Sequence, residues 1–395
     1  MKVLVINTGS SSLKSQLIEH EGGKVIAKIT AERVGTEKTI ISFKSTNGTR
    51  QQKQAANHEQ AIQIALEMLC DKEIGIIKNL DEIDVIGHRV VHGGEYYKEP
   101  VLIKEDVIQN IRSCNALAPL HNPACILGIK ACEKFMPNTP QVAVFDTAFH
   151  QTIKEGRYLY PIPLEAYQQY GIRKYGFHGI SHQFLTQSLT EIIGKIPEKA
   201  ILFHLGQGAS LCAVENGESV DTTMGISPLA GVIMGTRSGD IDPSIVGYLA
   251  SMKNIPCDEV IDLLNKESGM LALSGVSSDF RDILEAADTG NKQAQMALEK
   301  YYENVAQYAA KFMITLNGAK YFVFAGGIGE NCPKVRTEIC KKLQIFGVDL
   351  DEEKNAQAVR KSMKISSKES KIEIYVIPTN EELMIAKQSI NQISK

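Results

Sequence analysis

Two arginines stand in loops suited to seating an anion. Arg89 lies in Gly87-His88-Arg89-Val90-Val91-His92-Gly93-Gly94, where an apolar run ends in paired glycines. Arg237 lies in Met234-Gly235-Thr236-Arg237-Ser238-Gly239-Asp240-Ile241-Asp242-Pro243. The chain holds only ten arginines, so these settings are informative. A guanidinium in a glycine-flanked loop can meet a carboxylate or phosphate with two parallel hydrogen bonds, which an ammonium does poorly. An ordinary surface ion pair explains Arg89 equally well. The long polar loop around Arg237 offers no helix face to decorate, which favours a binding role there. Asp146 ends the apolar run 142–145 and opens Asp146-Thr147-Ala148-Phe149-His150. A carboxylate just past a buried strand is where α/β proteins place active-site groups. His178, in Tyr175-Gly176-Phe177-His178-Gly179-Ile180-Ser181-His182, has His182 four residues on. No third ligand accompanies that pair, so a hydrogen-bonding or charge-stabilising His178 is favoured over zinc, and His182 reads as structural. Glu381 and Glu382 follow Pro378-Thr379-Asn380, where they either cap a last helix or ligate a hard cation.

The elements that must position these residues alternate between strand and helix, the pattern of an α/β architecture. Short apolar runs of strand length fall at 3–6, 85–91, 142–145, 200–203, 321–325 and 372–377. Helical periodicity marks 58–69 and 292–316; in the second, Ala294, Leu298, Tyr301, Val305, Tyr308 and Phe312 recur every three or four residues as a core stripe.

Three small-residue turns recur beside strands. Val3-Leu4-Val5-Ile6-Asn7-Thr8-Gly9-Ser10-Ser11-Ser12-Leu13 and Ile201-Leu202-Phe203-His204-Leu205-Gly206-Gln207-Gly208-Ala209-Ser210-Leu211 share one strand–turn–strand shape. They suggest two similar domains, each opening with a hairpin whose tip lets backbone N–H groups crowd an anion. The third turn, Gly326-Gly327-Ile328-Gly329-Glu330-Asn331, ends a strand and leads into a helix at 333–343, a setting for a phosphate cradle or a plain structural turn. The G-x-x-x-x-G-K-[ST] loop is absent, as is G-x-G-x-x-G after a strand, so a nucleotide must be held some other way.

Composition removes several classes. At 395 residues with 43% apolar and 23% charged residues and a net charge of −3, the chain has the balance of a soluble globular protein, without the basic stretch a nucleic-acid or anionic-membrane partner needs. No run approaches a membrane span or a signal-peptide core. The eight cysteines contain no C-x-x-C pair and read as reduced packing residues, and the expected location is cytoplasmic.

From end to end the sequence resembles the acetate kinase family. The matching segments are Asn7-Thr8-Gly9-Ser10-Ser11-Ser12-Leu13-Lys14, the Arg89 and Arg237 loops, Val144-Phe145-Asp146-Thr147-Ala148-Phe149-His150, Gly176-Phe177-His178-Gly179, the 326–331 cluster and Pro378-Thr379-Asn380-Glu381-Glu382, in that family's order. The resemblance implies two related domains of actin-like, ribonuclease H-like ATPase fold with a nucleotide cleft between them, assembled as a homodimer. The expected boundaries are 1–148, with a final helix 382–395 packing back onto it, and 149–381 for the nucleotide-binding domain. It implies ATP or ADP as co-substrate, and magnesium, with manganese the other admissible ion, held by Asn7 and Glu381. Arg89, Asp146, His178 and Arg237 would be catalytic. Arg89, Val91, Leu120, Phe177 and Pro228 would bind the short carboxylate, Val91 favouring acetate. Lys14, His204, Leu205, Gly206, Gln207, Gly208, Asp279, Phe280, Arg281, Gly327, Ile328, Gly329, Glu330 and Asn331 would bind the nucleotide. Gln207 departs from the family's usual asparagine, Ala230 from an acid and Ser227 from a threonine, all near the expected nucleotide or substrate site.

The implied reaction is reversible, direct in-line transfer between ATP and acetate, giving acetyl phosphate and ADP. A carboxylate needs no strong general base, but two anions must approach; at ~4 Å and an effective dielectric of about 20 their repulsion is on the order of 4 kcal/mol. The competing expectations are a propionate or butyrate kinase and, in another class, a non-catalytic ATP-binding switch of the same fold.

Overall fold

Val3, Leu4, Val5 and Ile6 form an unbroken apolar run too short for a helix, and it becomes a fully buried strand, β1 (Lys2–Thr8). The structure is a computed structural model that describes residues 1–119 and 121–395, with Lys53 described by its backbone alone. After a turn in which the Gly9 N–H donates to the Ser12 carbonyl at 2.8 Å, the chain returns as β2 (Ser12–Glu19), antiparallel to β1, with Asn7 opposite Lys14. Antiparallel β3 (Lys24–Glu32), β4 (Ile40–Ser45) and β5 (Thr49–Lys53) extend the sheet on that side. On the other side lie β6 (Val85–Val90), β7 (Val101–Leu102) and β8 (Gln141–Phe145). Here β6 runs parallel to β1, β8 parallel to β6, and β7 antiparallel to β8, giving the order β5-β4-β3-β2-β1-β6-β8-β7.

This sheet belongs to a first unit, Met1–Gln151 with Asn380–Lys395; Thr152–Thr379 form a second. In the first, the helix His58–Leu69 starts where Asn57 Oδ1 accepts the Gln60 N–H at 2.9 Å. It buries Ala61, Ile62, Ala65 and Leu69 against Leu4, Leu17, Ile29 and Phe43, each large apolar side chain contributing roughly 1.5–3 kcal/mol. The last helix, Glu381–Ile393, is capped by Asn380 and lies directly on β6. Gly87 permits this approach, because a Cβ there would stand 2.5 Å from Ser389 Oγ and 2.7 Å from an Ile385 methyl.

The second unit repeats the plan. β9 (Lys199–Leu205), β10 (Ala209–Glu215) and β11 (Glu218–Thr222) are antiparallel; β12 (Tyr321–Ala325) pairs parallel with β9, β13 (Met363–Lys364) is an antiparallel edge, and β14 (Glu373–Val376) runs parallel to β12. Its order, β11-β10-β9-β12-β14-β13, matches β3-β2-β1-β6-β8-β7 in both sequence and strand sense. The fold is therefore α/β, two related units whose sheets each begin with a hairpin, and the paired strand–turn–strand patterns of the sequence are those hairpins. Phe203 stacks on Phe324 with ring centroids 4.5 Å apart, and every residue of β12 is buried. Among the described residues no helix is long and apolar enough to cross a membrane, and the cysteines are free thiols.

Two buried histidines of the first unit make it sensitive to acid. His88 Nε2 shares a 2.7 Å hydrogen bond with Gln141 Oε1, and His92 Nδ1 accepts the Gly94 N–H at 3.0 Å, which requires a neutral ring. Burial pushes both down to about 4, with Gln141 partly opposing at His88. Between that value and ~6.5 the unfolded chain binds protons that the native one does not, so stability is complete above about pH 6.5 and falls as pH drops towards 4. The expected loss is on the order of 3 kcal/mol per histidine across the window. Urea unfolding at pH 7, 6 and 5 reads it; a midpoint unchanged down to pH 5 would contradict the assignment.

Candidate active site

The parallel strands of the first unit bring three charged groups together at their C-terminal ends. Val90 pairs with Phe145, so the residues flanking that pair, Arg89 and Asp146, meet there, and the Asp146 N–H donates to the Val90 carbonyl at 2.9 Å. Arg89 Nε donates to Asp146 Oδ1 at 3.0 Å and Nη2 to Oδ2 at 2.7 Å, a forked pair; the Asp146 side chain is 2% exposed and that of Arg89 20%. The remaining nitrogen, Nη1, stands 3.6 Å from Glu381 Oε2 at the start of the last helix. Burial pushes the Asp146 carboxyl up, Arg89 pulls it back, and Glu381 adds to the rise. Burial also works against the Arg89 charge, but Asp146 and Glu381 outweigh it and the guanidinium is held charged.

Ile6 pairs with His88 across β1 and β6, which sets half-buried Asn7 one step on, level with Arg89. Lys14 is exposed opposite Asn7. Val91 is half-buried just beyond β6, and the loop behind it is fixed by Asn122, whose Nδ2 donates to the His92 carbonyl at 2.9 Å while Oδ1 accepts the His92 N–H. Leu120 lies outside the described residues.

In the second unit, buried Phe177 leads to His178, which opens the helix Gly179–Ile193 from a left-handed conformation at φ 57°. Such a backbone is uncommon outside glycine and is found where a side chain must be aimed. His178 Nδ1 and His182 Nε2 lie 2.9 and 2.8 Å from the same Ser210 hydroxyl, so their four-residue spacing serves a shared hydrogen bond. That hydroxyl has one proton and two acceptor lone pairs, so it can donate to at most one of the two rings. His204 Nδ1 is 2.8 Å from Ser181 Oγ, and its ring centroid is 4.3 Å from that of His178.

Arg237 faces the same place. A Cβ built on Gly208 would stand 3.3 Å from His178 Nε2 and 3.5 Å from Arg237 Nη1, so the bare hairpin tip leaves room before both groups. Among the described residues Arg237 has no acidic partner: Nη1 donates to the Pro228 carbonyl at 3.3 Å and approaches Met234 Sδ at 3.7 Å. Burial pushes its pKa down. A half-buried guanidinium without a counter-ion is costly in an empty protein and favourable once an anion arrives.

A cavity of about 420 Å³, wholly within the second unit, is lined by Gly206, Gln207, Asp279, Phe280, Arg281, Gly327, Ile328 and Asn331. Asp279 caps the helix Phe280–Asp288 through the Arg281 N–H, and its hydrogen bonds from the Arg281 side chain and backbone hold its carboxyl down to about 2. Gln207 Nε2 donates to the Ser278 carbonyl at 3.1 Å, so the longer amide ties the hairpin tip to the segment before Asp279, while the Gln207 backbone carbonyl accepts the Gly235 N–H at 3.1 Å.

Four of the expected nucleotide residues of this unit turn elsewhere. Leu205 is buried at the end of β9, and His204 is engaged with Ser181. Gly329 is buried and its carbonyl accepts Arg336 Nη1 at 2.7 Å. Glu330 folds inward, its Oε1 accepting the Gly326 N–H at 2.8 Å and the Thr379 N–H at 3.0 Å. Sequence reasoning missed three lining residues, Leu284, Cys332 and Arg360. Leu284, four residues after Phe280 on an amphipathic helix, was within reach of pattern; Arg360, at φ 54° and donating to Asn331 Oδ1 at 2.9 Å, sits in a loop without one.

The sequence pattern of the acetokinase family matches residues 2–387. The acetate kinase of Thermoanaerobacterium thermosaccharolyticum is 50% identical over 394 residues, 98% of each chain. Among solved structures, the acetate kinase of Porphyromonas gingivalis superposes with a TM-score of 0.95 at 39% identity, and a propionate kinase from Francisella tularensis with 0.93 at 40%, each over 99% of both chains.

Proposed function

The chain belongs to the acetokinase family, an enzyme moving a phosphoryl group between ATP and acetate, and we propose that it does so by direct in-line transfer without a phospho-enzyme. The observation that carries this reading is Arg237, a half-buried cation with no acidic partner among the described residues, aimed with His178 Nε2 at the open hairpin tip of Gly208. Phosphoryl transfer asks the protein chiefly to align two reactants and to offset charge on the equatorial oxygens. Arg237 and His178 supply that charge. Arg89 holds the attacking carboxylate, and Asp146 fixes the plane of Arg89 by occupying Nε and Nη2, so that the carboxylate meets the Nη1 edge beside Glu381. The family resemblance assigns Val91, Phe177 and Pro228 to the short carboxylate's methyl group. The cavity beside Phe280 and Ile328 takes the nucleoside.

Magnesium fits the oxygen donors of Asn7 and Glu381, since this ion favours one or two carboxylates together with substrate phosphates over an all-protein cage. Bound there, it would neutralise phosphate charge. Homodimer assembly in the cytoplasm completes the proposal; exposed Ile245, Tyr248 and Met252, on one face of the helix Ser244–Lys253, are suited to a partner surface.

The test is ADP release from ATP and Mg²⁺ with acetate, propionate, butyrate or no carboxylate, with acyl phosphate trapped by hydroxylamine. Acetate-dependent turnover with weaker propionate turnover is expected, because one methylene changes discrimination by only about 1–3 kcal/mol. ADP formed without any carboxylate dependence and without hydroxamate would overturn the reading. Propionate as the preferred substrate is not favoured, since relatives near 50% identity are acetate kinases.

A further inference from the structure

The loop that carries Arg237 is closed on itself. The Gly231 N–H donates to Asp240 Oδ1 at 2.7 Å, and the Asp240 N–H donates back to the Gly231 carbonyl at 2.9 Å. Inside this clasp the Met234 N–H meets the Arg237 carbonyl at 3.1 Å, making a tight turn with Arg237 at its end. The two chain ends press together so closely that a Cβ on Gly239 would lie 2.6 Å from the Gly231 carbonyl oxygen.

Two polar side chains of the helix Lys292–Thr315 hold this clasp from outside. Asn304 Oδ1 accepts the Ile233 N–H at 2.9 Å, and four residues on, one helical turn away, the Tyr308 hydroxyl donates to Asp240 Oδ2. The remaining members of the sequence stripe, Ala294, Leu298, Tyr301, Val305 and Phe312, are buried. Tyr308 alone among its aromatics is half-exposed and spends its polar end on a carboxylate. Burial and the accepting carboxylate push the phenol up, so it remains a donor throughout the working pH range.

Among the described residues Arg237 has only a backbone carbonyl and a thioether to steady its head, so its placement depends on the loop that carries it. We propose that Tyr308, acting through Asp240, is a positioning residue for Arg237: the long helix serves as a rail against which the arginine loop is held. Neither residue touches the reacting groups in this assignment. The inference rests on the role given to Arg237 above, and on the steep dependence of transfer rates on placement, where an error near 1 Å costs on the order of 10²-fold.

The test is a double-mutant cycle. Tyr308→Phe keeps the ring and removes the donor. In the unaltered protein it should lower kcat about tenfold, with KM for acetate and for ATP changed less than about twofold. In an Arg237→Ala background the same change should alter kcat by less than about twofold, because the group it positions is gone. Asp240→Ala, which also frees the Gly231 N–H, should cost at least as much as Tyr308→Phe, while Asp240→Asn, whose Oδ1 can still accept the Gly231 N–H and whose Nδ2 can donate to the Tyr308 oxygen, should recover most of the rate. An equal loss from Tyr308→Phe in both backgrounds would mark a general structural role, and no loss in the unaltered protein would remove the role altogether; either overturns the proposal. If Arg237→Ala itself leaves kcat intact, the reading of the reaction fails and the positioning role fails with it.

Discussion

Replacing Arg237 by alanine is expected to lower kcat by roughly 10³-fold, as for other arginines that stabilise a transferring phosphoryl group, while leaving the thermal midpoint almost where it was. The two halves of this expectation share one cause. Arg237 is charged, half-buried and lacks an acidic partner among the described residues, so folding bears a desolvation cost that only a bound anion offsets. Removing it forfeits one hydrogen bond to the Pro228 carbonyl, about 1 kcal/mol, and relieves the buried charge. Steady-state kinetics beside a thermal melt decide the matter. A kcat loss below tenfold, or a midpoint lowered by more than about 5 °C, would contradict the assignment.

The corresponding change at Arg89 should cost the same in rate and much more in stability. Arg89 neutralises Asp146, whose side chain is 2% exposed, and deleting one partner of a buried pair typically costs about 3–5 kcal/mol. The pH dependence has a definite sign. In Arg89→Ala, burial acts on Asp146 unopposed by the guanidinium and Glu381 still adds to the rise, so the folded carboxyl lies above its unfolded value of ~3.8. The native variant then binds a proton that the unfolded chain has released. Its deficit is smallest below about pH 4, grows as pH rises through the raised folded value, and levels off above it. Denaturant midpoints at pH 4.5, 6 and 8, relative to the unaltered protein, should fall progressively further behind. Adding Asp146→Asn should restore much of the stability and none of the activity. A deficit that shrinks with rising pH would show that Asp146 is not the group left exposed to burial.

Much of this site could be read from the chain because its residues sit where patterns end. Asp146 follows an apolar run that is a strand for lack of length to be anything else, and Arg89 and Arg237 stand among glycines whose spacing marks turns. The parallel strands β1, β6, β8, β9, β12 and β14 were legible for the same reason, as unbroken apolar stretches. β5 was not: Thr-Arg-Gln-Gln-Lys has no apolar residue, and its pairing with β4 alone makes it a strand. Glu330 is expected at the nucleotide from the family resemblance; the Thr379 N–H that its Oε1 accepts lies 49 residues away, a contact that no local pattern announces. Tyr308 was hidden in the opposite sense, since its spacing fits an apolar stripe and only the distant Asp240 shows what its hydroxyl is for.

The helix Glu381–Ile393 lies on β6 at Gly87, and this sets an order of events during synthesis. The first 151 residues leave the ribosome with a sheet face whose cover has not yet been made. Roughly 230 residues of the second unit must follow before that cover emerges, which at ~5–20 residues per second leaves the face bare for about 10–50 s. The second unit, contiguous in the chain, completes itself first. The half-site of Arg89 and Asp146 comes to rest last, when the final helix docks and brings Glu381 to it, so a chain stopped at Asn380 keeps the residues that line the second unit's cavity yet lacks the acid beside Arg89.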